Sequence, residues 1–212
     1  MSALLAHAEV AAPLAAAWSV HALWMRDRWR RARLDPLTGL PARAAFELRV
    51  RRMVRKSPTA VLVIDLNGLK PVNDEFGHAA GDAVIRETGV RLAQWAGGAD
   101  GIAARLGGHA DEFAAAIPAP ESLPGELTGL DQWLRHPVGF EGAVLMVGAS
   151  IGAKLSSPTA ADPSLLMRRA DEAMYTAKEG GGGWVIAHGD QPTHPTVNGR
   201  REGRPGTALE VT

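Results

Sequence analysis

Asp65 stands directly after the apolar run Ala60-Val61-Leu62-Val63-Ile64, and Asp111-Glu112 stands just before a second apolar run that begins at Phe113. A carboxylate at the carboxyl end of a buried strand lies in the crevice where α/β sheets bind ligands. If the strand from Phe113 pairs beside the strand from Ala60, Asp65 and Asp111 converge. Two hard oxygen ligands suit Mg²⁺, or Mn²⁺, which takes a few carboxylates together with water and substrate phosphates. Gly107-Gly108 precedes the acidic pair and would let a nucleotide approach the backbone closely. Lys70, five residues beyond Asp65, can meet a phosphate, while Asn73 and Asp82 can read a base edge through hydrogen bonds. Each residue also has a plainer reading, since acidic residues cap strand ends and Gly-Gly makes turns. His78 is read as a turn residue rather than an acid–base group.

The elements that would position these groups follow from periodicity. Asp35-Pro36-Leu37-Thr38-Gly39-Leu40-Pro41 breaks any preceding helix, with Gly39 permitting a turn and Pro41 opening a new helix. That helix is expected over 41–56, with Phe46, Val50, Met53 and Val54 on one face. Residues 60–64 read as a buried central strand. Further expectations are a helix over 81–96, a hairpin from 102–106 and 113–117, a helix over 123–134 and a strand over 144–153. A helix over 163–177 capped by Asp162 and a last strand over 184–187 complete the series. The alternation with an internal hairpin implies a mixed sheet carrying helices.

The 212 residues hold 23 Lys+Arg against 23 Asp+Glu and no Cys. The lack of Cys excludes a disulfide scaffold and any thiolate metal site, and is compatible with a reducing cytosol. Zero net charge argues against bulk electrostatic binding of nucleic acid. The zero is a cancellation: residues 26–56 carry 11 basic and 3 acidic side chains, whereas 57–135 carry 5 and 11. Such an arrangement suits a site for a metal-bound polyanion, and also a set of solvated helix faces. Two readings fit residues 1–34. One is an amphipathic stalk that pairs with another chain, since Leu14, Trp18, Met25 and Trp29 recur at near-helical spacing. The other is a membrane anchor within 3–25, with the arginines of 26–33 on its cytoplasmic flank. The uninterrupted apolar stretch, 10–25, is 16 residues long. At about 1.5 Å per residue it falls short of a ~30 Å hydrocarbon core. Residues 188–212, rich in Pro, Gly, Thr and Arg, are expected to be a disordered tail.

Taken together and in order, these segments resemble the GGDEF, or diguanylate cyclase, family. Asp35-Pro36-Leu37-Thr38-Gly39-Leu40-Pro41-Ala42-Arg43 is similar to the opening DPLTGLPNR, and Asp65-Leu66-Asn67-Gly68-Leu69-Lys70-Pro71-Val72-Asn73-Asp74 to D-x-D-x-F-K-x-x-N-D. Gly77-His78-Ala79-Ala80-Gly81-Asp82 matches G-H-x-x-G-D. Arg105-Leu106-Gly107-Gly108 and Asp111-Glu112-Phe113 match R-x-G-G-D-E-F interrupted by His109-Ala110. Ser150-Ile151-Gly152 and the stretch from Arg169 to Lys178 match S-I-G and R-A-D-x-A-M-Y-x-A-K. The resemblance covers 35–187. It implies a palm-like mixed α/β sheet of the nucleotidyl cyclase type flanked by helices and preceded by an N-terminal helix. Each protomer would hold one GTP, and a homodimer meeting at the active-site face, guided by the N-terminal helix, would join two GTP into cyclic di-GMP and pyrophosphate. By matching position, Asp65 and Asp111 would bind Mg²⁺ or Mn²⁺ with the backbone carbonyl of Leu66. Glu112 would lie near the attacking 3′-hydroxyl at the turn made by Gly107 and Gly108. Asn73 and Asp82 would recognise guanine, and Lys70 and Lys178 would hold phosphates. The implied location is cytoplasmic, either free or anchored to the inner face of the membrane.

Three departures from the family pattern bear on activity. His109-Ala110 lengthens the signature turn by two residues, an even number that keeps the inward–outward alternation of both strands. The family's arginine four residues after the lysine matched by Lys178 is here Gly182, and the inhibitory R-x-x-D pair would fall at Gly98 and Gly101. Product inhibition by that route is therefore expected to be absent. Two functions follow: an active diguanylate cyclase, or a weak or inactive domain that binds GTP or pairs with another protein.

Overall fold

The apolar run after Pro58 becomes the central strand. In the computed structural model, β1 (Thr59–Asn67) is buried from Thr59 through Leu66, as expected of a strand covered on both faces. The structure describes residues 34–107, 111–157 and 161–190, isolated Trp18 and His21, and the backbone of 196–197 and 200–201. Gly108, His109 and Ala110 lie outside the described residues, as does the expected stalk or anchor apart from Trp18 and His21. In chain order the remaining elements are α1 (Arg43–Val54), α2 (Leu69–Phe76), α3 (His78–Gly98), β2 (Ile102–Arg105), β3 (Glu112–Pro118) and α4 (Leu123–Leu134). They continue with β4 (Val138–Phe140), β5 (Ala143–Leu145), β6 (Gly148–Leu155), α5 (Pro163–Glu179) and β7 (Gly183–Ile186).

Five strands form one sheet in the order β2-β3-β1-β6-β7, antiparallel except for the β6–β7 pair. Alternation along β1 sends Leu62, Ile64 and Leu66 into a core with α3 and α4, and Val61 and Val63 into a second core with α1 and α5. Gly152 sets the second layer. A Cβ there would lie 1.9 Å from the Ala170 carbonyl oxygen and 2.1 Å from the Met174 nitrogen, so only glycine lets α5 sit this close to β6.

Several expected elements are displaced for identifiable reasons. Pro41 opens no helix, because its carbonyl accepts from Arg105 N at 3.1 Å and Ala42 bridges to Arg105; α1 starts two residues later, at Arg43. The strand expected over 144–153 is two strands. Glu141 and Gly142 take positive φ and fold β4 onto β5 as a separate hairpin, and β6 joins β1 only from Gly148. The helix α2 was not expected as an element of its own, although Leu69, Val72 and Phe76 have helical spacing and Pro71 is tolerated in a first turn. Packing also continues past 187: Lys154 Nζ donates to the Gly189 carbonyl at 2.8 Å and pairs with Asp190 at 3.0 Å, and Arg169 donates to the His188 carbonyl at 2.6 Å. No helix among the described residues is long and apolar enough to cross a membrane.

Candidate active site

Asp65 is the seventh residue of β1, 4% exposed, and in the alternation it follows Val61 and Val63 towards the layer of α1 and α5. There α5 delivers Lys178, whose Nζ lies 2.5 Å from Asp65 Oδ2. Across the ladder Asp65 pairs in register with Glu112 on β3 and Ser150 on β6. Directly opposed residues project to one face, so Glu112 shares the face of Asp65. Asp111 belongs to the turn, and its carbonyl accepts from Leu66 N at 3.1 Å. Asp65, Leu66, Asp111 and Glu112 therefore meet at one end of the sheet. The hairpin expectation is met closely, because β2 and β3 pair up to Arg105 opposite Phe113 and Leu106 N donates to the Glu112 carbonyl at 3.0 Å. The ladder is thus intact on both sides of the lengthened turn. Gly107 takes φ +61°, a conformation suited to glycine.

Beyond Asn67 the chain turns at Gly68, with φ +90°, straight into α2. No side chain caps that helix, and Lys70 is exposed in its first turn. Asn73 lies against Gly81: a Cβ on Gly81 would fall 2.0 Å from Asn73 Oδ1. Gly81 precedes Asp82, so the two groups expected to read a base are neighbours across the α2–α3 junction. Asp82 is half exposed and 3.9 Å from Arg86. His78 is exposed at the start of α3.

The sequence did not single out Asn67 and Ser150, which exchange hydrogen bonds of 2.9 and 3.2 Å two residues beyond Asp65. Spacing carries no sign of this pair, which is separated by 83 residues. Nor did it reveal how the entry turn is tied to the site. Asp35 Oδ1 accepts from Thr38 N at 2.8 Å, Thr38 Oγ1 at 2.7 Å and Arg105 Nη1 at 3.0 Å. Burial pushes the Asp35 carboxyl up, but the Thr38 hydroxyl and amide and then Arg105 outweigh it, leaving the group below its ordinary value. Among the described residues no three His, Asp or Glu side chains gather into a metal-holding group, so a cation here would rely on two carboxylates and backbone oxygen. A cleft of about 360 Å³ lined by Arg49, Arg52, Met53, Lys56, Asp100 and Pro118 lies at the opposite end of β1 and includes none of these residues.

A family model described as "Diguanylate cyclase, GGDEF domain" matches residues 32–183. An uncharacterized 19.3 kDa protein of Streptomyces ambofaciens is 40% identical over 166 residues, covering 76% of this chain and 86% of that protein. Diguanylate cyclase TpbB of Pseudomonas aeruginosa is 37% identical over 153 residues, 68% of this chain and 34% of that protein. This chain spans roughly a fifth to a third of the length of such larger relatives. The crystal structure of the coiled coil and GGDEF domain of DgcB from Caulobacter crescentus, in complex with c-di-GMP, is similar with a TM-score of 0.68 and 27% identity, covering 85% of this chain and 97% of that one.

Proposed function

The chain belongs to the GGDEF, or diguanylate cyclase, family, and from that premise we propose that it binds GTP at the sheet end formed by Asp65, Leu66, Asp111 and Glu112 and condenses two GTP into cyclic di-GMP as a homodimer. The observation that carries this reading is the placement of buried Asp65 opposite Glu112, with Lys178 on its carboxylate and Asn73 and Asp82 adjacent across α2–α3.

The donor set fits Mg²⁺ or Mn²⁺. Asp65 is a nine-tenths buried carboxylate at a strand end, and the ammonium of Lys178 stands where a cation is wanted. Asp65 and Asp111, with the Leu66 carbonyl, would hold the metal, which when bound would lower the charge on the α-phosphate and favour ionisation of the 3′-hydroxyl. The chain's own residues do the rest. Asn73 and Asp82 offer an amide and a carboxylate to the guanine edge. The uncapped amides at the start of α2 and the side chain of Lys70 face phosphate oxygens. Lys178 exchanges Asp65 for phosphate when substrate arrives. Glu112, on the face of Asp65, lies where it can accept a proton from the attacking hydroxyl. A second copy brings the second GTP, and alignment of the two substrates supplies much of the rate.

A second reading, a weak or inactive GTP-binding or protein-pairing domain, is favoured by Gly182. Its φ of +112° and the closeness of Asn67 Nδ2, 3.0 Å from where a Cβ would stand, leave no strain-free place for the family's arginine. The test is incubation of the protein with GTP and Mg²⁺ and chromatographic detection of cyclic di-GMP, with Asp65→Ala as the control. Product from the unaltered chain alone supports the cyclase. GTP binding without product at high protein concentration supports the second reading.

A further inference from the structure

Arg135 closes α4 at the same sheet end as Asp65, and nothing in its sequence surroundings marks it. Its Nε donates to both carboxylate oxygens of Asp131, at 3.1 and 3.0 Å, which fixes the plane of the guanidinium. The terminal nitrogens extend in the other direction. A Cβ on Gly148 would lie 3.7 Å from Nη1, and a Cβ on Gly182 would lie 3.7 Å from Nη2. Among the described residues neither terminal nitrogen has a hydrogen-bond partner. Gly148 opens β6 opposite Asn67, and Asn67 Nδ2 lies 3.0 Å from the same Cβ position on Gly182. The fork of Arg135 therefore sits beside the residue two places after Asp65 and against two glycines, neither of which puts a side chain between the fork and Asn67. The backbone on either side is clamped: Arg91 of α3 donates to the carbonyls of Trp133, Leu134, His136 and Pro137.

We infer that Arg135 is a substrate-binding residue whose terminal nitrogens hold a phosphate of the nucleotide, supplying from α4 the cation that Gly182 does not. A planar fork with two outward N–H-bearing nitrogens matches two phosphate oxygens, and bidentate contacts of this kind are among the stronger charge-assisted hydrogen bonds. With Lys178 on the Asp65 carboxylate, two cations would then serve the phosphate chain. Half exposure of the Arg135 side chain leaves the guanidinium open to an incoming anion. This inference rests on the GTP-binding reading above.

The test measures equilibrium binding of GTP and of GMP, with Mg²⁺ present, to the full chain and to its Arg135→Gln and Arg135→Lys variants. Arg135→Gln is expected to weaken GTP binding roughly tenfold or more while changing GMP binding by less than about threefold. Arg135→Lys, which retains charge without the fork, should fall between. Unchanged GTP affinity in Arg135→Gln would overturn the inference, as would equal losses for GTP and GMP, which is how a merely structural residue would behave. If the unaltered chain itself binds no GTP, the parent reading fails and this one falls with it.

Discussion

Lys178 and Asp65 form a pair of unequal partners, one side chain 46% exposed and the other 5%. Removing the ammonium leaves a buried carboxylate without that compensation, whereas a divalent ion restores it. The Lys178→Met variant is therefore expected to be less stable than the parent without metal, by about 1–2 kcal/mol once screening of the half-exposed lysine is allowed for. Added Mn²⁺ should raise the melting temperature of the variant by more than that of the parent. Thermal unfolding with and without Mn²⁺ checks this, and equal metal-induced shifts would count against the exchange of lysine for metal. Asp35 makes a prediction of a different kind. Its folded-state carboxyl lies below the ordinary value, so the hydrogen bonds from Thr38, and then the pair with Arg105, contribute stability that is complete above the unfolded pKa and is lost as pH falls through the folded one. Asp35→Ala should cost about 1–3 kcal/mol at neutral pH. The difference should shrink below about pH 4, as denaturant titrations across that range would reveal.

At the scale of elements, the junction between α4 and β4 depends on one side chain from elsewhere. The last carbonyls of a helix have no partner within it, and here Arg91, with its side chain 8% exposed, reaches them from α3 while Glu87 holds its Nε at 2.9 Å. Arg91→Met keeps much of the apolar stem but takes the side-chain donor from the Leu134, His136 and Pro137 carbonyls, and is expected to cost about 2–4 kcal/mol. Because the same contacts fix the backbone around Arg135, GTP affinity should fall as well. Calorimetry and binding assays on one preparation test both, and a stable variant with intact affinity would contradict the clamp. Arg91 also illustrates what could and could not be read beforehand. The helix over 123–134 was legible to the residue, since Ser122 and Pro124 mark its start and Leu123, Leu127, Leu130 and Leu134 its buried face. Its closure by a residue 42 or more positions away was not, because the contact depends on tertiary packing rather than local pattern. The site divides in the same way. Asp65 and the hairpin bearing Glu112 followed from apolar runs, whereas the Lys178–Asp65 contact spans 113 residues and needed the sheet order. The merging of 144–153 into one strand failed at Met146, whose exposure marks the crossing from a local hairpin to the central sheet.

For the molecule as a whole, zero net charge conceals an ordered distribution. The acidic segment 57–135 contains Asp65, Asp82, Asp111 and Glu112, while Arg49 and Arg52 of α1 line the cleft at the far end of β1. The polyanion is thus expected at the acidic end, where metal, Lys70, Arg135 and Lys178 must together offset both protein and substrate charge. That end is also where Leu34 and Asp35 lie, since Leu34 bridges to Pro41, Ala42 to Arg105, and Asp35 pairs with Arg105 two residues before Gly107. A paired stalk would therefore act at the root of the signature turn and would hold two active-site faces at high effective concentration. Deleting residues 1–33 should leave GTP affinity within about twofold of the full chain, because none of the proposed binding residues is lost. Turnover at micromolar protein should fall on the order of 10²-fold and recover as protein concentration rises, since dimerisation then becomes bimolecular. Rate measurements over a concentration series, with sedimentation to follow the dimer, distinguish the two readings of this segment. Equal specific rates for the full and shortened chains at low concentration, with no dimer in either, would remove the stalk from the mechanism and leave membrane attachment as the remaining role for the apolar stretch.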